Sequence, residues 1–160
     1  MTTNNSINNA SPNIAAHSVM ISEGANNQVG VLLATGQTLI GVTGSDPIAA
    51  TLTSVQWNDV AGTTQAAAAN QGYIISNVGQ TTVTLPSVAA EGSVVAVSGK
   101  GSAGWVLAAN TGQVIHFGNL ASSTAGSLTS TNQWDTVLVL CVTANTTWVV
   151  QSAVGNLTVS

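Results

Sequence analysis

Short, interrupted runs of strand-forming residues constrain this chain more than any other feature. Val, Thr, Leu and Ile recur in segments of strand length, and Gly or Asn separates one segment from the next. β-Branched side chains suit a pleated backbone, whereas Gly and Asn supply turns. The predicted strands are Val29–Ala34, Thr38–Val42, Ile48–Thr53, Gly72–Ser76, Thr81–Leu85, Ser93–Ser98, Trp105–Ala108, Val114–Phe117, Trp134–Thr143, Thr147–Ser152 and Val154–Val159. Many short strands with regular turn signals predict an all-β sandwich, barrel or fibrous fold. One helix-like run exists, Gln65–Asn70. It has room for a single turn before Asn70-Gln71-Gly72 stops it.

Two strands say more. Thr81-Thr82-Val83-Thr84-Leu85 alternates, so one face is buried and the other solvated. Thr136–Val142 is apolar at nearly every position, which predicts a central strand covered on both faces. Its predicted partner is Thr147–Ser152, joined through Ala144-Asn145-Thr146 in a hairpin. Gly-Gln precedes a strand at Gly36-Gln37, Gly79-Gln80 and Gly112-Gln113. The spacings are unequal, so the pair reads as a reused turn and not as a solenoid period. Asp46-Pro47 also reads as a turn.

The chain divides near residue 62. Residues 1–62 form an extended, Asn/Gly/Thr-rich assembly segment whose single aromatic residue is Trp57, and Asp59–Thr64 is the linker. Residues 63–160 carry Tyr73, Trp105, Phe117, Trp134 and Trp148 as core anchors. This part is expected to be a compact antiparallel β-sandwich or jelly-roll-like domain. Gly30–Thr53 lacks large side chains and can scarcely form a core alone, so its strands call for other chains. On this reading residues 1–30 add a strand to a neighbouring copy.

Charge narrows the function. Only 4% of residues are charged, against about 25% in an average soluble domain. They are Glu23, Asp46, Asp59, Glu91, Lys100 and Asp135, for a net charge of −4. Little opposes self-association in such a chain, and the mean hydropathy of +0.37 points the same way. A lone Lys100 cannot neutralise a run of phosphates, which argues against nucleic acid and anionic membrane surfaces as partners. No apolar stretch approaches the length of a membrane helix. Met1–Asn9 has neither a basic nor an apolar signal region. Either a signal has been removed or export uses another route, such as release on cell lysis, and an extracellular or virion-surface location is expected.

Chemistry-bearing residues are sparse. Cys141 is the one cysteine and sits in an apolar run, as a buried small hydrophobe would. His116 and His17 are the two histidines, and no ligand spacing links them to a metal site. Asp59 and Asp135 each follow or neighbour a Trp-containing polar run, Trp57-Asn58-Asp59 and Trp134-Asp135, but nothing in the sequence pairs them as an acid and base. No nucleophile, phosphate-loop or dinucleotide pattern occurs, so neither an enzyme nor a cofactor is expected. Asn4, Asn9, Asn145 and Asn156 begin Asn-x-Ser/Thr sequons. The Thr-x-Thr pairs at Thr51-Leu52-Thr53 and Thr82-Val83-Thr84 do not repeat regularly enough for a flat ice-binding array. Trp105 and Trp134 adjoin polar, turn-rich segments and are the candidate glycan contacts, with core packing as the alternative role.

The wording of Leu32–Ser54 resembles the linking repeats of bacteriophage tail-fibre and related virion-appendage proteins. Gly99–Asn119 and Asn145–Val159 resemble a recurrent C-terminal module of such proteins. The resemblance implies elongated trimers with a β-rich tip that contacts a host surface. The resulting expectation is a structural fibre component that self-assembles as a homotrimer or homopolymer and attaches to a host-surface glycan. A bacterial extracellular filament subunit polymerised by strand exchange and a carbohydrate-binding module are the alternatives.

Overall fold

The computed structural model of the protein describes residues 18–22, 28–32, 37–42, 45–51 and 55–160. The chain forms two units, Met1–Thr53 and Ser54–Ser160. Among the described residues there is no helix.

The first unit contains two antiparallel ribbons. Strand β1 (Ser18–Ser22) pairs with β2 (Gln28–Leu32), with Ser18 opposite Leu32. Strand β3 (Gln37–Val42) pairs with β4 (Ser45–Thr51), with a bulge between Ile40 and Val42. Asp46-Pro47 therefore lies inside β4 and not in a turn. A two-stranded ribbon tolerates Pro because each strand has an open edge that needs no N–H. The expected strand donation by residues 1–30 falls largely outside the described residues, as do His17, Glu23, Asn4 and Asn9. The part that is described pairs within the chain as β1 and β2.

The second unit is a sandwich of two mixed sheets. In chain order its strands are β5 (Gln56–Val60), β6 (Thr64–Ala66), β7 (Gln71–Ile75), β8 (Thr81–Thr84), β9 (Val94–Gly99), β10 (Trp105–Ala108), β11 (Val114–Phe117), β12 (Leu120–Ala121), β13 (Ser127–Ser130), β14 (Thr136–Thr143), β15 (Thr147–Val154) and β16 (Leu157–Val159). The seven-stranded sheet runs β12-β11-β15-β14-β9-β7-β5, and the five-stranded sheet runs β16-β13-β10-β8-β6.

The expected all-β sandwich is present, but it is not wholly antiparallel. From β5 to β10 the chain crosses to the opposite sheet at every strand. Each return lays a strand parallel to the one two steps earlier, giving β5–β7, β7–β9, β6–β8 and β8–β10. Parallel neighbours need a crossover connection, and here a strand of the facing sheet provides it. The winding places β5 in the sandwich, so Asp59–Thr64 is not a linker between domains. Asp59 and Val60 complete β5, Thr64 begins β6, and only a short turn separates them. The helix-like run at Gln65–Asn70 is likewise strand and turn, because Gln65 pairs opposite Val83 in the β6–β8 ladder. The predicted hairpin of β14 and β15 is present, with Asn145 at φ 63° in the connection.

One apolar layer joins the sheets. Ile75, Val95, Val97, Val137, Val139, Cys141, Ile115 and Trp148 face inward from the seven-stranded sheet. Val83, Leu85, Trp105, Leu107 and Leu128 meet them from the other. The alternation in Thr81–Leu85 follows from this geometry, with Thr81, Val83 and Leu85 buried and Thr82 and Thr84 outside. Gly112-Gln113 does launch a strand, and the buried Gln113 ties loops together. Its Nε2 donates to Pro86 O at 2.8 Å and its Oε1 accepts from Asn110 N at 2.9 Å.

Leu107 is fully buried at the centre of the five-stranded sheet. Leu107→Ala is expected to lower unfolding free energy by about 2–5 kcal/mol, as measured by urea denaturation.

Candidate functional site

Two surfaces of the sandwich stand apart from the rest. One is the loop end that carries Trp134. The other is the outward face of the seven-stranded sheet.

At the loop end, Thr131–Asp135 connects β13 to β14. The Asp135 side chain organises this turn. Its Oδ2 accepts from Thr131 N at 2.9 Å and from Asn132 N at 3.0 Å. Asp and Asn favour such turns because a side-chain oxygen can stand in for a backbone acceptor. The Asp135 carbonyl accepts from Gly99 N at 2.9 Å and from the Trp105 indole Nε1 at 2.9 Å. Asp135 is thus buried and anchored to β9 and to the core. Gly155 closes the cage: its φ is +94°, and a Cβ there would overlap the Asp135 carboxylate.

This frame holds Trp134 in an unusual state. Its φ is +74° and the residue is 64% exposed. A bulky non-glycine residue with positive φ is an outlier that costs on the order of 1–3 kcal/mol. Polar groups surround the turn. Gln133 Nε2 donates to Lys100 O at 2.8 Å, and Asn132 Nδ2 donates to Thr131 Oγ1 at 2.9 Å. Lys100 Nζ lies 3.8 Å from Asp59 Oδ2, and Ser76 Oγ donates to Asp59 Oδ1. Both charged side chains are more than half exposed, so the ion pair adds little stability.

The sequence candidates separate here. Trp134 offers its ring to solvent. Trp105, expected alongside it as a glycan contact, is fully buried with its N–H committed to Asp135. It has no face open to a ligand, because the inward register of β10 puts it in the core. Asp59 and Asp135 also part: Asp59 lies on the exposed strand β5, whereas the Asp135 carboxylate is bound to backbone N–H groups. His116 lies on β11 opposite Val149 and Ala121. Cys141 is buried, with Sγ 3.3 Å from Thr143 O. Among the described residues no three His, Cys, Asp or Glu gather as a metal site would require.

The outward face of the seven-stranded sheet is mixed: a mostly polar row, Asp59, Ile74, Ser98, Thr136 and Val154, with Ser98 and Thr136 hydrogen-bonded to each other, lies beside two more apolar rows. Register aligns Trp57, Gly72, Ala96, Leu138 and Ser152 in one row. Val94, Leu140, Val149 and His116 form the next. Trp57 is half exposed, and its indole lies over Gly72, where a Cβ would come within 2.7 Å of the ring. Leu138 and Leu140 are half-buried and Val142 is exposed. The expected cover on both faces of Thr136–Val142 is therefore met on one face alone among the described residues. The five-stranded sheet differs, because its outward row reads Thr64, Thr82, Val106, Thr129 and Thr158. Sequence spacing hides this row, since its members come from separate strands.

Gly155→Ala is expected to destabilise the protein by more than about 1 kcal/mol, through a strained φ and overlap with Asp135. Asp135→Ala is expected to cost about 1–3 kcal/mol by leaving turn donors unpaired. Urea unfolding followed by Trp fluorescence measures both.

No protein-family model matches the chain, and no curated protein matches it in sequence.

Proposed function

We propose that this protein is a structural component that assembles with copies of itself, and that the outward face of the seven-stranded sheet is its association surface. The observation that carries this reading is the contrast between the two outer faces. Both sheets have the same backbone requirements, yet the outward row of one is threonine apart from Val106, whereas two rows of the other hold Trp57, Val94, Leu138, Leu140 and Val149 beside Ser152 and His116. Two outward rows, about 6.7 Å apart, across β5, β7, β9, β14 and β15 at about 4.8 Å spacing give this stripe a projected area of roughly 300 Å². This is within the range of the largest patches that monomers expose, and such patches are often functional. The near absence of charge supports the reading, because little repels a second copy. The resemblance to tail-fibre and virion-appendage proteins adds an elongated homo-oligomer on a virion or cell surface as its setting.

Trp134 favours a second reading, attachment to a neutral glycan. A Trp ring packs against the C–H face of a sugar while nearby amides and hydroxyls bond its hydroxyl groups. Asn132, Gln133 and Thr131 supply such groups beside Trp134.

Light scattering tests the first reading. The native protein is expected at a mass of several chains, and Leu138→Lys with Leu140→Glu is expected to lower that mass at least twofold with a melting temperature within a few degrees. A native monomer at every concentration would exclude it. Trp134→Gly tests the second reading. Gly relaxes the positive φ, so stability is expected to hold or rise by up to about 1 kcal/mol. Binding to a panel of neutral oligosaccharides, read by isothermal titration calorimetry, is expected to vanish. No binding by the native protein would exclude the glycan role.

A further inference from the structure

The edges of the two sheets are unequal. Strand β12 has 2 residues, and β6 and β16 have 3 each, whereas β5 has 5. Very short edge strands, Pro, Lys and bulges all discourage a foreign strand from adding to a sheet. Strand β5, Gln56-Trp57-Asn58-Asp59-Val60, contains no Pro or Lys, and its register with β7 has no shift. Among the described residues it is the longest edge strand of the sandwich, and its one charge, Asp59, is paired with Lys100 of the same chain.

Hydrogen bonding shows which of its groups are free to pair. Val60 O accepts from Ser76 N at 3.0 Å, so the polar backbone groups of Val60 point toward β7. In a strand these groups alternate in direction, so those of Asn58 and Gln56 also point toward β7, and those of Trp57 and Asp59 point away. Asn58 sits at the midpoint between the two outward residues. A second copy of β5, related by a two-fold axis through Asn58, places Trp57 of one copy opposite Asp59 of the other. The N–H and C=O groups of that pair then bond in both directions. The arrangement is isologous and closes on itself.

From this we infer that β5 joins two copies of the chain edge to edge, as antiparallel strands centred on Asn58. The inference rests on the self-assembly reading above and adds an edge contact to the face contact. Continuity with the apolar rows of the sheet face favours a second copy as the occupant. Trp57 lies on that face, so pairing at β5 merges the outward faces of two sheets into one surface about twice as large. Charge is also accommodated, because each Asp59 carboxylate keeps its own Lys100 ammonium and Ser76 hydroxyl.

Cross-linking tests the register. Asn58 of the two copies would form a pair that is not hydrogen-bonded, with Cα atoms about 4.5 Å apart, within the range of about 4.4–6.8 Å that a disulfide spans. Asn58 is exposed, and Cys141 is fully buried. Under mild oxidation Asn58→Cys is expected to form a disulfide-linked dimer at least tenfold more than Gln56→Cys or the native chain. Trp57→Pro removes an outward N–H and spares the β7 ladder, so it is expected to lower the native mass at least twofold, an effect that Trp57→Ala produces only in part. Light scattering of the native protein separates the two claims. A monomer overturns both self-assembly and this contact. An oligomer without selective Asn58→Cys cross-linking, or one that Trp57→Pro leaves intact, overturns the β5 pairing alone.

Discussion

The inter-sheet layer is the constraint on which the second unit depends. Trp105 and Trp148 come from opposite sheets, both are fully buried, and Leu107, Ile115, Leu128 and Val137 fill the space around them. With so few charges, little besides apolar burial and backbone hydrogen bonding is available to stabilise the fold. Burying a large apolar side chain contributes about 1.5–3 kcal/mol. The layer gains that contribution many times, because nearly every strand places alternate residues in it. The direction of the outward side chains follows from that alternation.

The chain reaches this layer by winding between sheets. From β5 to β10 each strand lies across from its predecessor, so each turn of the chain adds one strand to both sheets. Local hairpins enter only near the end, at β11–β12 and β14–β15. The winding also explains the loop end. The connections β7–β8, β9–β10 and β13–β14 meet there, and Asp135 links two of them through the Gly99 N–H and the Trp105 indole. A core tryptophan thus supports the carbonyl of Asp135, while the Asp135 carboxylate shapes the turn that exposes Trp134. The buried and the exposed indoles are parts of one arrangement.

The two outer faces show how similar backbones come to have different surfaces. Threonine on the five-stranded sheet keeps the β-branched shape that strands favour and adds a hydroxyl for water. On the other sheet Trp57, Val94, Leu138, Leu140 and Val149 put hydrocarbon at such positions, beside Ser98, Thr136 and Ser152. Leu138 and Leu140 are as apolar as the Val137 and Val139 beside them, yet they sit on the solvent side of the strand. A core alone does not require that. The outward leucines and Trp57 are the residues whose chemistry the isolated sandwich leaves unused.

Much of this was legible in the amino-acid order. The all-β class followed from β-branched runs cut by Gly and Asn. The faces of β8 followed from a period of two, and the β14–β15 hairpin followed from two apolar runs flanking Asn145. These are local properties, set within a few residues by steric preference and alternation. Strand partners are not local. Whether β5 lies beside β6 or β7 depends on a ladder closed with Gln71–Ile75, and the extended look of Gln56–Val60 contains no sign of it. The fates of Trp105 and Trp134 were undecided for the same reason, since both adjoin polar turns. Only the tertiary structure decided between them. The register of β10 turned one ring inward, and the Asp135 turn, closed against Gly99 and Gly155, held the other in the left-handed region facing water.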